Sequence, residues 1–276
     1  MDQSDARPPK DLPRQAATVI LTREREEQGE LETLLLCRHR GSGFMASAFV
    51  FPGGIEETGD DGDLRVTAAR ELFEEGGVLL ADRTFPSDER AELRKRVLAG
   101  APAAEVLAGA GAKFDAESLS YFAHWLTPSA EKRRYSAKFF IARMPAGQDA
   151  AFDDVETVDQ VWVTADEALA RAGELKLPPP QVRTFIDMRE AARSGWSSLS
   201  RLSAARAESP AIILPRFAPL ESGFALLLPW DPDYQRLGTG DAIAIGDDHP
   251  LAVGPSRFVL EDKTWKNVAA DSKTAG

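Results

Sequence analysis

The sequence has little cysteine and histidine and no long hydrophobic run, and each shortage excludes a class of protein. Its 276 residues include one cysteine, Cys37, so no disulfide can form within the chain. The three histidines are scattered along the sequence, which argues against a zinc site. No apolar stretch approaches the roughly 20 residues that cross a bilayer, and residues 1–5 lack a signal-peptide pattern. We therefore expect a cytoplasmic protein.

Positive charge is also in short supply. Lysine and arginine total 33 against 44 acidic residues, which gives a net charge of -11 and a pI near 4.9. Because this field repels polyanions, we expect neither nucleic acid nor an anionic membrane as a partner. A phosphate-bearing small molecule would have to be received locally, by metal ions and by clustered basic side chains.

The hydrophobic content of 43% is enough for one large domain with a proper core. Residues 1–14 are polar and rich in proline, and we expect a flexible tail there. Residues 15–207 form the expected main domain, with residues 82–118 as a helical insertion. From residue 208 to 268 short apolar runs alternate with Pro, Gly and Asp, which predicts a small β-rich C-terminal appendage. This appendage would mediate homodimerisation or cover a pocket.

Hydrophobic periodicity and turn residues predict the elements of the main domain. A capping box at Thr164 and Glu167 predicts one helix start, and the three prolines at 178–180 predict another. The predicted strands are 16–21, 31–37, 49–51, 121–126, 135–143 and 158–163, and in the appendage 211–214, 224–228, 242–245 and 257–260. The predicted helices are 64–75, 88–98, one that opens at 165, and 180–194.

The most informative segment is an acidic face on the helix predicted at residues 64–75. Glu71, Glu74 and Glu75 fall within about a third of the helix circumference. Neighbouring carboxylates at these spacings repel one another, so a trio costs stability unless a cation lies between them. A divalent metal ion is the obvious candidate, and a ligand set without histidine or cysteine fits Mg²⁺ or Mn²⁺.

The same helix carries a recognisable motif. The run from Arg70 to Val78 reads Arg-Glu-Leu-x-Glu-Glu-x-Gly-Val and resembles the second half of the Nudix box at each fixed position. The first half of the box begins at Gly54 but has Asp60 where the family has glutamate, and the loop is two residues longer. Whether Asp60, Asp61 or Asp63 replaces that glutamate is open at this point.

The resemblance implies a Nudix α/β/α sandwich around a mixed sheet and divalent-metal-dependent hydrolysis of a diphosphate linked to another group. It implies metal ligands on the helix and at the preceding glycine turn, where the backbone carbonyl of Gly53 or Gly54 is a further ligand. The implied metal site is Glu71, Glu74, Glu75 and Gly54. Glu156 matches the place of a general base or an extra ligand, and Arg70 would hold Glu74 in position. The implied catalytic residues are Glu75, Glu74, Glu156 and Arg70.

Short patches spread over residues 15–265 resemble the Nudix branch that contains a coenzyme A diphosphatase. They include residues 49–54, 125–128, 138–140 and 228–232. The favoured substrate is therefore coenzyme A or an acyl-coenzyme A. ADP-ribose, NADH or another nucleoside diphosphate derivative is the enzymatic alternative, and a non-catalytic Nudix-fold binding module is the alternative of another class. The candidates for binding substrate phosphate are Arg38, Arg40, Arg134 and Lys138.

Overall fold

A mixed sheet of eight strands forms the centre of the protein. A computed structural model describes residues 12–25, 29–41, 46–221, 223–246 and 248–270. The strands run in the order β3-β2-β1-β6-β5-β8, while β4 pairs with β1 and β7 pairs with β2. The β1–β6 and β5–β8 pairs are parallel, and the others are antiparallel. The strands of this sheet are β1 Arg14–Glu24, β2 Leu31–Arg38, β3 Phe49–Val50, β4 Gly53–Ile55, β5 Ser120–Leu126, β6 Tyr135–Arg143, β7 Thr157–Thr164 and β8 Ile212–Ile213.

Helices cover both faces of this sheet. Alternation along β1 sends Val19 and Leu21 into one hydrophobic cluster and Ile20 into the other. Helices α1 to α3 pack in the first cluster, and α4 to α6 in the second. The helices are α1 Leu64–Gly76, α2 Ser87–Leu98, α3 Ala103–Gly109, α4 Ala165–Ala170, α5 Pro179–Arg193 and α6 Trp196–Glu208. The expected α/β/α sandwich with a mixed sheet is confirmed, and α2 and α3 follow α1 as the expected helical insertion.

A second, four-stranded antiparallel sheet lies near the C-terminus, as expected of the β-rich region. Its strands are β9 Arg216–Pro219, β10 Phe224–Leu227, β11 Arg257–Glu261 and β12 Thr264–Val268, in the order β12-β11-β10-β9. Leu226, Leu228 and Phe258 belong to the same hydrophobic cluster as Phe185 of α5. The second sheet and the main domain therefore share one core, and the boundary at residue 208 stays a prediction.

Several expectations from the sequence are wrong in detail. Residues 242–245 do not form a strand, and Ile212–Ile213 joins the main sheet beside β5. Arg14, expected in the tail, is the first residue of β1; residues 1–11 of that expected tail lie outside the described residues. Helix α6 and strands β9 and β12 were not expected. None of the helices in the described ranges is long and apolar enough to cross a membrane.

Candidate active site

Two neighbouring glycines bring the acidic helix close to the sheet. Gly53 and Gly54 belong to strand β4, which pairs with Thr18 and Ala17 of β1. A Cβ on Gly53 would lie 2.4 Å from the Ala17 carbonyl oxygen, and one on Gly54 would lie 2.2 Å from Glu71 Oε1. The segment expected to be a turn is thus a strand. Gly53 is required by its close approach to the backbone of β1 rather than by a positive φ, and a side chain at Gly54 would displace the Glu71 carboxylate.

Helix α1 begins and ends with capping residues that fix its position. The Asp63 carboxylate accepts the Arg65 amide at 2.9 Å at the N-terminus, and Gly77 adopts a left-handed conformation with φ 68° at the C-terminus. Phe73 and Leu72 of this helix are fully buried in the hydrophobic cluster on this face of the sheet, and Glu75 is only 5% exposed beside Gly53 of β4.

Arg70 organises the acidic face from a buried position. Its Nε and Nη2 donate to the two carboxylate oxygens of Asp60 at 2.9 and 3.0 Å, and Nη2 also donates to the Ile55 carbonyl at 2.8 Å. Its Nη1 donates to both Glu71 and Glu74 at 3.0 Å. Of the three aspartates left open by the sequence, Asp60 is therefore the partner of Arg70, whereas Asp63 caps the helix and Asp61 is exposed.

Asp60 is held in turn by a short 3-10 segment, Thr58–Asp60. Its Oδ2 accepts the Glu57 amide and the Thr67 hydroxyl, each at 2.9 Å. Burial alone would raise the pKa of Asp60, but the Arg70 guanidinium and these donors lower it below its usual value. The side chain, 1% exposed, is therefore a buried carboxylate with a full set of partners.

The acidic residues meet in one cleft of about 750 Å³. Glu71, Glu74 and Glu75 line it, and Glu156 reaches it from the loop before β7. Among the described residues that line this cleft, Arg70 is the only basic one. The eight carboxylate residues of the lining are Glu56, Glu57, Asp60, Glu71, Glu74, Glu75, Asp153 and Glu156.

Crowding and burial make the carboxylates of the helix reluctant to ionise. Burial, assisted by the charge of Glu71, raises the pKa of Glu75 to about 8 against the hydrogen bond that its Oε2 accepts from the Gly53 amide at 3.0 Å. Burial also raises the pKa of Glu71 to about 7, although the Arg70 charge opposes the shift. The pKa of Glu74 is raised in the same direction by burial. A cation among these groups would favour their charged forms.

The donor set fits a hard divalent cation. The helical ligands expected from the sequence are all carboxylates in one cleft, and hard ions such as Mg²⁺ prefer oxygen. Within the part of the chain that the structure describes, no three acidic, histidine or cysteine side chains converge as a ready metal site. Each helical carboxylate instead has a protein partner, Arg70 for Glu71 and Glu74 and the Gly53 amide for Glu75.

The four basic residues expected to bind substrate phosphate do not line this cleft. Arg38 ends β2, where its charge only partly opposes the burial that raises the pKa of Glu75, and Arg40 is exposed in the turn that follows. Arg134 donates to the Thr127 carbonyl at 3.1 Å. Lys138 lines a second cleft of about 530 Å³, which shares Glu56 with the first cleft. Their role in binding phosphate stays a prediction.

Two residues of the site were not expected from the sequence. Asp153 lines the cleft, and its Oδ1 accepts the backbone amides of Val155, Glu156 and Thr157 at 2.8–3.0 Å, which shapes the loop of Glu156. An Asp that precedes a strand in this way is a recognisable turn signal. Arg94 of α2 donates to backbone carbonyls of α1 across a sequence separation of 20 residues, and no local pattern announces such a contact.

Comparison with known proteins identifies relatives of this chain. Residues 56–188 match the family model described as the NUDT19 Nudix domain. A Caenorhabditis elegans protein provisionally named nudix hydrolase 7 is 30% identical over 180 residues, which cover 61% of this chain and 58% of that protein. The chicken (Gallus gallus) protein named acyl-coenzyme A diphosphatase NUDT19 is 27% identical over 286 residues, with 74% of this chain and 75% of that protein covered.

Among solved structures, that of a NUDIX hydrolase from Alicyclobacillus acidocaldarius superposes with a TM-score of 0.59 at 24% identity. The match covers 69% of this chain and 97% of that one, and it supports the fold. The chain spans somewhat more than half of the length of the worm relative and three quarters of the chicken one.

Proposed function

Because the chain belongs to the Nudix hydrolase family, we propose that it hydrolyses a diphosphate linkage in a nucleotide derivative, with coenzyme A or an acyl-coenzyme A as the preferred substrate. The observation that carries this proposal is the cleft in which eight carboxylate residues surround one arginine. The family acts on small nucleotide derivatives and generally uses divalent metals.

Electrostatics explain why this cleft would need divalent ions. A diphosphate carries negative charge on its oxygens, and the cleft lining carries mostly carboxylates. Arg70 cannot offset them for a substrate, because its guanidinium is buried and bonded to Asp60, Glu71 and Glu74. An anionic substrate would therefore enter the cleft together with cations, and Mg²⁺ or Mn²⁺ suits the oxygen ligands.

The site residues divide into metal ligands and a proton acceptor in this mechanism. Glu71, Glu74 and Glu75, with the Gly54 carbonyl, would hold the metal ions, which polarise the phosphoryl oxygens and lower the pKa of the attacking water when bound. Glu156 is exposed at the cleft on a loop fixed by Asp153, where it can accept a proton from that water.

One wall of the cleft is uncharged, and this supports a substrate with an apolar arm. It comes from the end of α2 and the start of α3, where Leu98 is 48% exposed although it is apolar. The residues of this wall are Val97, Leu98, Gly100, Ala101, Pro102, Ala103 and Ala104. A pantetheine or acyl chain would gain from burial against it, whereas a second ribose, as in ADP-ribose, would not.

A substrate panel tests the proposal directly. The purified protein is incubated with Mg²⁺ or Mn²⁺ and with coenzyme A, an acyl-coenzyme A, ADP-ribose or NADH, and the products are separated by chromatography. We expect a phosphopantetheine fragment and adenosine 3′,5′-bisphosphate from coenzyme A. Faster turnover of ADP-ribose or NADH would reject the preferred substrate and favour the enzymatic alternative.

The alternative of another class, a non-catalytic binding module, requires a site that cannot turn over. Retention of all three helical glutamates argues against it. Glu75→Gln should lower turnover by orders of magnitude, and the exposed Glu92→Gln on α2 serves as the control. Binding of a panel substrate without any cleavage by the wild-type protein would favour the module.

The partners in this proposal are small molecules, and we propose neither nucleic acid nor membrane as a partner because of the net charge of -11. Homodimerisation through the second sheet and the cytoplasmic location stay predictions. A mass measurement in solution tests the first.

A further inference from the structure

The last turn of α1 ends in four carbonyl groups that have no partner within the helix, as at any helix end. The Gly77 amide donates to Phe73 O at 3.1 Å, and the Ala151 amide donates to Gly76 O at 2.9 Å. The two carbonyls between them belong to Glu74 and Glu75, whose side chains line the cleft. Their main donor comes from another helix.

That donor is Arg94, in the middle of the inserted helix α2. Its Nε and Nη2 donate to Glu74 O at 3.2 and 2.8 Å, and Nη2 also donates to Glu75 O at 3.1 Å. A fork of this shape fixes both the distance and the orientation of the turn that it holds. A cation at this end also interacts favourably with the helix dipole.

Arg94 lies at the junction of three segments. Burial lowers its pKa while the charge of Asp153 raises it, so Asp153 lies within electrostatic reach. The Thr157 hydroxyl contacts Glu75 O at 3.5 Å from the same loop. The inserted helix, the end of α1 and the loop of Glu156 therefore meet around one guanidinium.

From this junction, we infer that Arg94 is a positioning residue that holds the Glu74 and Glu75 carboxylates in register with the Glu156 loop. Helix α2 of the insertion then sets the geometry of the site through Arg94. The inference rests on the proposed function, in which these glutamates hold metal ions. A shift of the last turn of α1 moves both carboxylates at once, and losses at such supporting positions are typically 10- to 100-fold in metal affinity or activity.

The test compares Arg94→Met, which removes the fork, with Arg94→Lys, which keeps the charge and one donor group. Arg90→Met is the matched control, because Arg90 lies on the same helix and donates to the Phe85 carbonyl at 3.3 Å, away from α1. Binding of Mn²⁺ to the full chain is followed without substrate by the electron paramagnetic resonance signal of the free ion. Turnover of the best panel substrate and thermal unfolding are measured in parallel.

We expect Arg94→Met to remain folded and to bind Mn²⁺ roughly 10- to 100-fold more weakly. At saturating Mn²⁺ its kcat should still lie below that of wild type, with little change in KM, because the two carboxylates are displaced. Arg94→Lys should recover part of the loss, and Arg90→Met should behave as wild type. Wild-type Mn²⁺ affinity in Arg94→Met, or equal losses in Arg90→Met, would overturn the inference.

Failure of the proposed function is a separate result. If the wild-type protein cleaves no panel substrate, the substrate proposal fails while the Mn²⁺ measurement still decides the role of Arg94. The inference on Arg94 also fails if the loss of Mn²⁺ binding in Arg94→Met only follows the unfolded fraction of that variant and is not recovered by Arg94→Lys.

Discussion

At the scale of single residues, the site depends on a buried arginine whose charge is shared by three carboxylates. Arg70 is 4% exposed and contacts Asp60, Glu71 and Glu74. The helical pattern predicted that Arg70 would hold Glu74. It could not predict which loop aspartate completes the pair, because that depends on the fold of a loop two residues longer than the family pattern.

We expect Asp60→Asn to destabilise the protein by about 3 kcal/mol, because the loss of one partner leaves a buried charge without its best counter-charge. Chemical denaturation at neutral pH gives the free energy of unfolding. Asp61→Asn is the matched control, since Asp61 is exposed and its positive φ suits asparagine. Equal free energies of unfolding for the two variants would show that the Asp60–Arg70 ion pair does not stabilise the protein.

The Asp60–Arg70 ion pair should also make the free energy of unfolding depend on pH. The pKa of Asp60 is lowered in the folded protein. The ionised carboxylate therefore stabilises the folded state fully above the unfolded pKa of about 3.9, and this stabilisation is lost as pH falls through the lower folded pKa. The difference between wild type and Asp60→Asn should therefore shrink in strongly acidic solution. A difference that is constant with pH would assign the effect to packing instead.

At the scale of elements, patterns within one segment were predictable and contacts between segments were not. The acidic helix, the Thr164–Glu167 capping box and the helix after the prolines all follow from local residues and are present. Helix α6 was not expected, because its serines and arginines do not mark a clear apolar stripe. Residues 242–245 have the apolar character of a strand, but no neighbouring strand pairs with them among the described residues.

Gly77 illustrates how one position serves two elements. Its φ of 68° disfavours any side chain, and a Cβ there would lie 2.7 Å from Arg94 Nη1. We expect Gly77→Ala to cost about 1–2 kcal/mol of unfolding free energy and also to weaken Mn²⁺ binding, because Arg94 must move. Denaturation and metal titration measure the two effects.

Gly109→Ala is the control for this variant. Gly109 lies in α3, has no positive φ, and a Cβ there would meet nothing within 4 Å. Alanine should therefore leave the protein as stable as wild type or stabilise it by about 0.5–1 kcal/mol. If Gly77→Ala and Gly109→Ala change the free energy of unfolding equally, the positive φ of Gly77 and its contact with Arg94 do not affect stability.

At the scale of the whole molecule, the second sheet shares its core with the main domain. Arg183 of α5 donates to the carbonyls of Val253 and Pro255, and its guanidinium lies 4.9 Å from the ring centroid of Trp230. Asp187 joins Arg183 to Arg206 of α6 through buried ion pairs. Composition predicted the β-rich character of this region but not its attachment, since attachment depends on long-range packing.

We therefore expect one cooperative unfolding transition in calorimetry. Phe258→Ala should lower the midpoint of the whole transition, with a loss of about 3–5 kcal/mol, because Phe258 is fully buried in the shared cluster. Two separated transitions, with only one of them moved by this substitution, would show that residues 208–268 fold as an independent unit.

The central claim is that Glu71, Glu74 and Glu75 form a site for hard divalent ions. Anomalous diffraction from a crystal grown with Mn²⁺ tests it most directly. We expect anomalous peaks in the cleft, within about 2–2.3 Å of carboxylate oxygens of this trio. A cleft without such a peak at millimolar Mn²⁺, or peaks bound only elsewhere on the protein, would contradict the account.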